Sequence, residues 1–384
     1  MSLLNNYLGT FKLYKTCQVH IGEVSIWRTY VTINDNESFP LRNSFLNCVG
    51  CSEQQDLSLL KAKAEAIERY TMSLVSQVSK FKSNPLGYDE ISSQIDSMRF
   101  VNKTSLDDIK GCIAWVEAKD IITKSTFDLP EQLVNFKVNN KKFPYQVTPV
   151  SSNGFSAHTD VKQAYLKGML ECIERDTVLR AWLTWNGLSK IPKRLVPSKI
   201  KYLFNYLKEE NWILSLNIIE NAFNIPTVWL IGYNPSLKTG KVLFGAKSSL
   251  NIQEAINGAC MEFLSNYGLV GMHFELEKVS QTHIEIFLDY LSNLPQNEQI
   301  YESAKIRNYE GLALRLYERC KLRCFISEFE LPEVKAEGFH VIRAIIPGLM
   351  YFWDKPTKEV LHLYSENSIR KRILGDFTPV SIYK

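Results

Sequence analysis

The sequence predicts an α+β fold, and three observations carry that reading. The chain opens on short runs in which apolar and polar residues alternate, the period of half-buried strands. Three later stretches place apolar or small residues three and four apart, the period of helices. Strands and helices do not alternate strictly, as a wound parallel sheet would require. Size and balance fit a folded body: 384 residues, 45% apolar and 22% charged. Disorder as the main state needs fewer apolar residues and more net charge. At about 100–200 residues per domain, the length allows two domains or one large one. Lys and Arg number 45 against 41 Asp and Glu, a net charge of +4. Over this length that is too weak to announce a nucleic-acid partner. No apolar run approaches the ~18 residues of a membrane helix, so no membrane contact is expected. The segment from Met1 to Lys15 lacks a basic stretch followed by an apolar one, so a cytoplasmic chain without a secretory signal is expected.

The elements follow in order. Val24–Trp27 and Thr29–Ile33 alternate and read as strands. From about Asp56 to Gln77 the period changes. Leu60, Ala64, Ile67, Thr71 and Leu74 then fall on one face of a helix. Ile113–Ala118 reads as a strand, with Phe127–Pro130 leaving a short hairpin partner. Ser151–Gly154 is turn chemistry. A second helix is expected over about Asp160–Trp185. Trp229–Tyr233 and Lys241–Phe244 read as strands around an Asn234-Pro235 turn. A third helix is expected over about Gln253–Leu269, and Tyr317–Cys324 ends another. Phe339–Ile346 is a strand stopped by Pro347-Gly348. The eight cysteines include Cys48-Val-Gly-Cys51 and the pair Cys320 and Cys324. Those spacings do not match a standard zinc knuckle, and buried free thiols are the better reading.

The informative comparison is internal. Glu65-Ala-Ile-Glu68-Arg69 in the first helix and Glu171-Cys-Ile-Glu174-Arg175 in the second share one pattern, 106 residues apart. The third helix carries Glu262 and keeps only the first carboxylate. A small residue stands three positions before each first glutamate: Ala62, Gly168 and Ala259. Such helices can be approached closely. At about 100° per residue, Lys61, Glu65, Glu68 and Arg69 share a sector away from the Leu60 stripe. Lys167, Glu171, Glu174 and Arg175 likewise lie opposite Leu166, Met169, Leu170 and Ile173. A single copy reads best as an exposed helix with an i, i+4 ion pair, worth a few tenths of a kcal/mol. A second copy at the same phase, after Ser152-Asn153-Gly154, shifts that balance. Paired like charges on two helices call for a cation, and oxygen-rich sites suit Mg²⁺ bound together with phosphate. Arginines beside them can fork onto phosphate oxygens. Composition and spacing reach a candidate cation and phosphate site between helices, and stop there.

Several ordered blocks together resemble the YcaO-domain family. The first is Gly50-Cys-Ser52 followed by Lys61–Arg69, similar to a motif of a Ser followed four residues on by E-x-x-E-R. Ala114–Glu117 through Leu129-Pro130 is similar to the connecting hairpin. Ser152–Ala157 with Ala164–Asp176 resembles the second motif most closely. Ala255–Tyr267 falls where the third is expected, and Val341–Leu349 resembles the late strand and its Pro-Gly-Leu turn. The blocks run from about residue 50 to 350 of a single domain filling residues 1–384. A strand region (1–50) precedes this core and a tail (351–384) follows it.

The resemblance implies a YcaO-type α+β fold, with mixed or antiparallel sheets on long helices. It implies an ATP site between helices without a P-loop, and no G-x-x-x-x-G-K-[ST] occurs here. It implies Mg²⁺ on Glu65, Glu68, Glu171 and Glu174, and nucleotide contacts from Arg69, Ser152, Asn153, Arg175 and Glu262. It implies ATP-dependent activation of backbone amides. A Cys, Ser or Thr of a ribosomally made, bacteriocin-like precursor peptide then closes a thiazoline or oxazoline. Such transfer is mostly positioning and charge neutralisation, and no catalytic nucleophile or base is assigned. An E1-like or leader-recognition partner protein is expected, because the chain shows no N-terminal extension of that kind; Phe377–Lys384 also departs from the family by lacking a proline-rich tail. A flavin-dependent dehydrogenase acting on the ring is a further partner of the same chemistry. Four residues depart from the pattern: Lys61 for the motif-one Ser, His158 for a Gly, and Ser265 and Tyr267 for the Gln and Arg of motif three. Thioamide or amidine formation, and a non-catalytic scaffold subunit, are the alternatives.

Overall fold

The computed structural model describes residues 11–33, 47–74, 80–82, 84–96, 110–136, 151–237, 242–267, 281–297 and 306–350. The tail from 351 onward, the Lys241 start of a strand and the 268–269 end of the third helix lie outside them. The first sheet is an antiparallel meander. β1 (Phe11–Ile21) and β2 (Val24–Ile33) form a hairpin around Gly22, whose φ of 59° suits a residue without Cβ. β3 (Asn47–Ser52) closes the other edge of β2. Helix α1 (Gln55–Leu74) then packs back on β2 and β3.

β4 (Lys80–Phe81), α2 (Tyr88–Asp96), β5 (Ala114–Asp120), β6 (Thr126–Pro130), α3 (Glu131–Val134) and β7 (Phe155–His158) follow. The expected hairpin is β5–β6, paired from Trp115 opposite Pro130 to Lys119 opposite Thr126. Helix α4 (Val161–Thr184) is bounded by its caps. Asp160 accepts from the N–H groups of Lys162 and Gln163, and Trp185 takes the left-handed conformation that ends the helix. β8 (Leu188–Lys190), β9 (Ile213–Ile219), β10 (Thr227–Tyr233) and β11 (Val242–Ser248) form the second sheet, ordered β8-β9-β10-β11, with α5 (Ser198–Glu209) between β8 and β9 in the chain. Helix α6 (Ile252–Tyr267) lies on β11 and β10. α7 (Gln281–Ser292), α8 (Tyr309–Cys320), β12 (Phe325–Phe329), α9 (Pro332–Ala336) and β13 (His340–Ile345) complete the chain. The third sheet runs β4-β5-β12-β13-β7, with β6 on β5. Late strands thus pair with early ones, which confirms α+β. No helix among the described residues is long and apolar enough to cross a membrane.

Two expectations are corrected. Leu60 is 38% exposed and leaves the buried stripe. In the first turns of α1 the buried line is instead Ser58, Ala62 and Ala66. The reason is β3: a Cβ on Gly50 would stand 1.8 Å from the Ser58 carbonyl oxygen and 2.6 Å from the Ala62 nitrogen. Only small residues fit a seam that tight. Second, α8 stops at Cys320 rather than Cys324, because Lys321 caps it in the left-handed region (φ 58°). Cys324 is buried at the entry to β12.

Candidate functional site

Helices α1, α4 and α6 bring their glutamates together, and the strands beside them hold the carboxylates by backbone N–H groups. In α1, Glu65 Oε2 accepts from Val49 N on β3 at 2.8 Å. Its Oε1 pairs with Arg69 Nη2, while Arg69 Nη1 donates to the Asn47 carbonyl at 2.8 Å. Glu68 reaches β7, where the Ala157 N–H favours its charged form. Burial, then Glu171, then Glu65 push Glu68 well above the usual carboxylate range, so α1 and α4 face each other through these acids.

On α4, Glu171 pairs with Arg175 Nη2 at 3.4 Å. Burial raises its pKa; Arg175 opposes this, and Glu174 reinforces it. Glu174 is 3% exposed and crosses to the second sheet, accepting from Ser248 N at 2.9 Å. On α6, Glu262 accepts from Ala246 N at 2.8 Å. Burial first, and Glu174 second, push it up to about 7. Two residues apart on β11, Ala246 and Ser248 thus serve carboxylates from two different helices.

Between them stands Lys247, which reading the sequence missed. Its Nζ lies 3.7 Å from Glu174 Oε2. Glu174 foremost, with Glu262 and Glu171, holds its proton more firmly than usual. Its stem runs over Gly258, where an added Cβ would come within 2.5 Å of Lys247 Cγ. The available signal was one lysine inside the otherwise apolar strand Val242–Ser248. Two more lysines share this region. Lys61 donates to the Cys51 carbonyl at 2.9 Å. Burial lowers the pKa values of both Lys61 and Lys167, and the charge of Lys247 adds to it in each case. Three ammonium groups from α1, α4 and β11 therefore repel one another beside the carboxylates.

The Ser152-Asn153 turn sits along α4 at its small residues. Gly154 takes φ 82°, and a Cβ there would meet the Ala344 carbonyl at 2.1 Å and Cys172 Sγ at 2.8 Å. Arg343 on β13, 1% exposed, donates to the Ser151 carbonyl at 2.6 Å and to that of Asn153 at 3.2 Å. Its guanidinium also stacks on Phe155, 4.8 Å from the ring centre. Asn153 is 3% exposed, and its Nδ2 has no hydrogen-bond partner among the described residues. A buried donor of this kind asks for an acceptor from a ligand. The turn touches α4 through Gly168 and Cys172, one row from Glu171, rather than the carboxylates themselves. Of the other departures, His158 Nδ1 accepts from Asp160 N at 2.9 Å and supports the start of α4. Tyr267 packs edge-on to Trp212, 5.8 Å between ring centres, in the apolar layer under α6.

Among the described residues no three His, Cys, Asp or Glu side chains form a ready-made metal shell. The carboxylates are instead spread over Arg69, Arg175, Lys247 and backbone N–H groups. This fits Mg²⁺, which is commonly held by one or two carboxylates together with phosphate oxygens and waters. It does not fit a cage built from protein alone. The unpartnered Asn153 amide and the converging lysines suit the phosphate-bearing partner that such a metal requires.

Comparison with known proteins agrees with this geometry. No curated protein sequence matches the chain. The solved structures it resembles include the YcaO protein from Methanopyrus kandleri bound with AMPPCP and Mg²⁺, at 14% identity and a TM-score of 0.66. That match covers 93% of this chain and 89% of the other. A heterocyclase in complex with substrate and cofactor matches at 15% identity and a TM-score of 0.64, over 89% of this chain and 50% of its own. The E. coli microcin synthetase McbBCD complex with pro-MccB17 bound matches at 13% identity and a TM-score of 0.62, over 90% and 89%. The family model described as YcaO cyclodehydratase, ATP- and Mg²⁺-binding, matches residues 49–350. The chain therefore belongs to the YcaO family of ATP- and Mg²⁺-dependent cyclodehydratases.

Proposed function

We propose that this cyclodehydratase closes thiazoline or oxazoline rings on Cys, Ser or Thr residues of a ribosomally made precursor peptide, together with a partner protein that presents the peptide. The observation that carries the reading is the meeting of two E-x-I-E-R helices and Glu262 beside three converging lysines. Glu65, Glu68, Glu171 and Glu174 would hold Mg²⁺. Arg69, Arg175, Asn153 and Ser152 would contact the nucleotide, with Glu262 beside them. Bound ATP would supply the phosphoryl group that turns a poor leaving group, the amide oxygen, into a good one. The chain's own work is to hold charges still: strand N–H groups fix the carboxylates, and Arg343 fixes the Ser152-Asn153 turn. Preorganised charge of this kind is where most phosphoryl-transfer catalysis resides. The likeness to a heterocyclase and to a microcin synthetase supports the choice of ring closure on a peptide.

The test is peptide-dependent release of ADP and phosphate, with one water lost from the peptide per ring. Sulfur-for-oxygen exchange in the product mass would replace this reading by thioamide formation. Glu171→Gln keeps the shape of a half-buried side chain and removes its charge. It should reduce ATP turnover at least ~100-fold, the scale of losing one preorganised charged group, with the unfolding midpoint near wild type. Full turnover in that variant would remove Glu171 from the site.

A further inference from the structure

The repeat shared by two of the carboxylate helices begins one turn before its glutamates. Lys61-Ala-Lys-Ala-Glu65-Ala-Ile-Glu68-Arg69 and Lys167-Gly-Met-Leu-Glu171-Cys-Ile-Glu174-Arg175 both read K-x-x-x-E-x-I-E-R. A lysine four before a glutamate can pair with it along the helix. Here Glu65 and Glu171 turn the other way, to Arg69 and Arg175. Lys61 donates to the Cys51 carbonyl, one of the three bonds an ammonium can make. Lys167 has no hydrogen-bond or ion-pair partner among the described residues. In α6 the equivalent position, four before Glu262, is Gly258, and that helix carries no Lys or Arg at all. The strand beside it fills the gap. Lys247 lays its stem across Gly258, where an added Cβ would come within 2.5 Å of its Cγ. Each of the three helices thus has an ammonium group one turn before its first glutamate, two from the helix itself and one from β11. The charge of Lys247 acts on both Lys61 and Lys167, and that of Lys61 acts on Lys167, so the three gather at one place. Lys61 and Lys167 are exposed and Lys247 is 42% exposed, which leaves all three open to a ligand.

We propose that Lys61, Lys167 and Lys247 form a phosphate clamp, one ammonium group for each helix of the cleft, that grips the phosphate chain of the nucleotide and favours a triphosphate over a monophosphate. This rests on the ATP reading above and goes beyond it, because it assigns positioning residues that the shared motifs do not contain. Gathering three like charges is unfavourable in the protein alone, and a polyanion lying among them reverses the sign. Ammonium groups suit the task as point charges that reach phosphate oxygens without a fixed fork geometry. Lys247 keeps its Glu174 pair at 3.7 Å, which ties the clamp to the carboxylates.

Calorimetry on the full chain with Mg²⁺ and AMPPCP is the test. Lys61→Gln, Lys167→Gln and Lys247→Gln should each weaken AMPPCP binding about 10-fold or more, the scale of losing one charge-assisted contact. Lys167→Arg, which keeps the charge, should stay close to wild type. Without ligand, Lys167→Gln should melt no lower than wild type, because that ammonium has no partner in the protein to lose. AMP should displace AMPPCP from wild type poorly, since it offers one phosphate to three cations. The clamp is overturned, with the ATP reading intact, by unchanged AMPPCP binding in the Gln variants or by a loss in Lys167→Arg as deep as in Lys167→Gln. A lowered ligand-free midpoint in Lys167→Gln, or AMP binding as tightly as AMPPCP, overturns it equally. No AMPPCP binding by wild type overturns both.

Discussion

At Glu262, five causes act on one proton. Burial raises the pKa most, and the charge of Glu174 raises it further; Arg175, the Ala246 N–H and Lys247 pull the other way. The balance stands at about 7, against an ordinary value of 4.5. A native carboxyl with a raised pKa keeps a proton that the unfolded chain has already released. Stability from this group is therefore full below 4.5 and is lost as pH rises through about 7. Melting the metal-free chain at about pH 5 and about pH 7.5 should show the loss, and Glu262→Gln should lose less over the same interval. Equal losses in the two proteins would show that Glu262 titrates normally. The same residue illustrates what could be read from sequence. Its place three residues after Ala259 marked it; its backbone donor, on a strand sixteen residues earlier, did not show.

The recurring element is a helix whose glutamates are held by nearby strands. β3 serves Glu65 on α1, and β11 serves Glu262 on α6, each by one backbone N–H at 2.8 Å. In both units a strand glycine lies against the helix backbone. An added Cβ would stand 1.8 Å from the Ser58 carbonyl at Gly50, and 2.1 Å from that of Ala259 at Gly245. The small residues three before each glutamate were visible in the sequence and mark these seams. The strand glycines were not, since nothing local says which helix will cover them. Gly50→Ala must push α1 away from β3, lengthening the Val49–Glu65 hydrogen bond. Overpacking of this kind costs about 1–3 kcal/mol. Gly111→Ala, where an added Cβ meets nothing within 4 Å, is the matched control. A lower unfolding midpoint for Gly50→Ala alone, with weaker AMPPCP binding by calorimetry, is the expected result. Equal midpoints in the two variants would show that the seam yields.

Across the whole molecule, the periodic helices and the α+β class were legible because they rest on local spacing. Pairings between distant segments were not. Arg28 on β2 donates to the Leu264 carbonyl on α6, and Arg343 reaches back to Ser151 and Asn153. Such pairs join segments that lie far apart in the chain, and no window of sequence contains both ends. Their consequence is mechanical. α1 rises from the first sheet, α4 packs on β13 and β7 of the third, and α6 packs on β11 of the second. A ligand held by all three helices binds only when all three sheets are in register. It should therefore stabilise the apolar clusters under each helix together rather than one at a time. By mass action, a ligand at a hundred times its Kd adds about 2.7 kcal/mol to a cooperative native state. Hydrogen exchange with and without Mg²⁺ and AMPPCP reads this directly. Slower exchange is expected in β3, β11 and β13 alike, beyond the residues that would touch the nucleotide. Protection confined to α4 and its turn would mean that the three sheets open independently, and that the cleft is completed only after the ligand arrives.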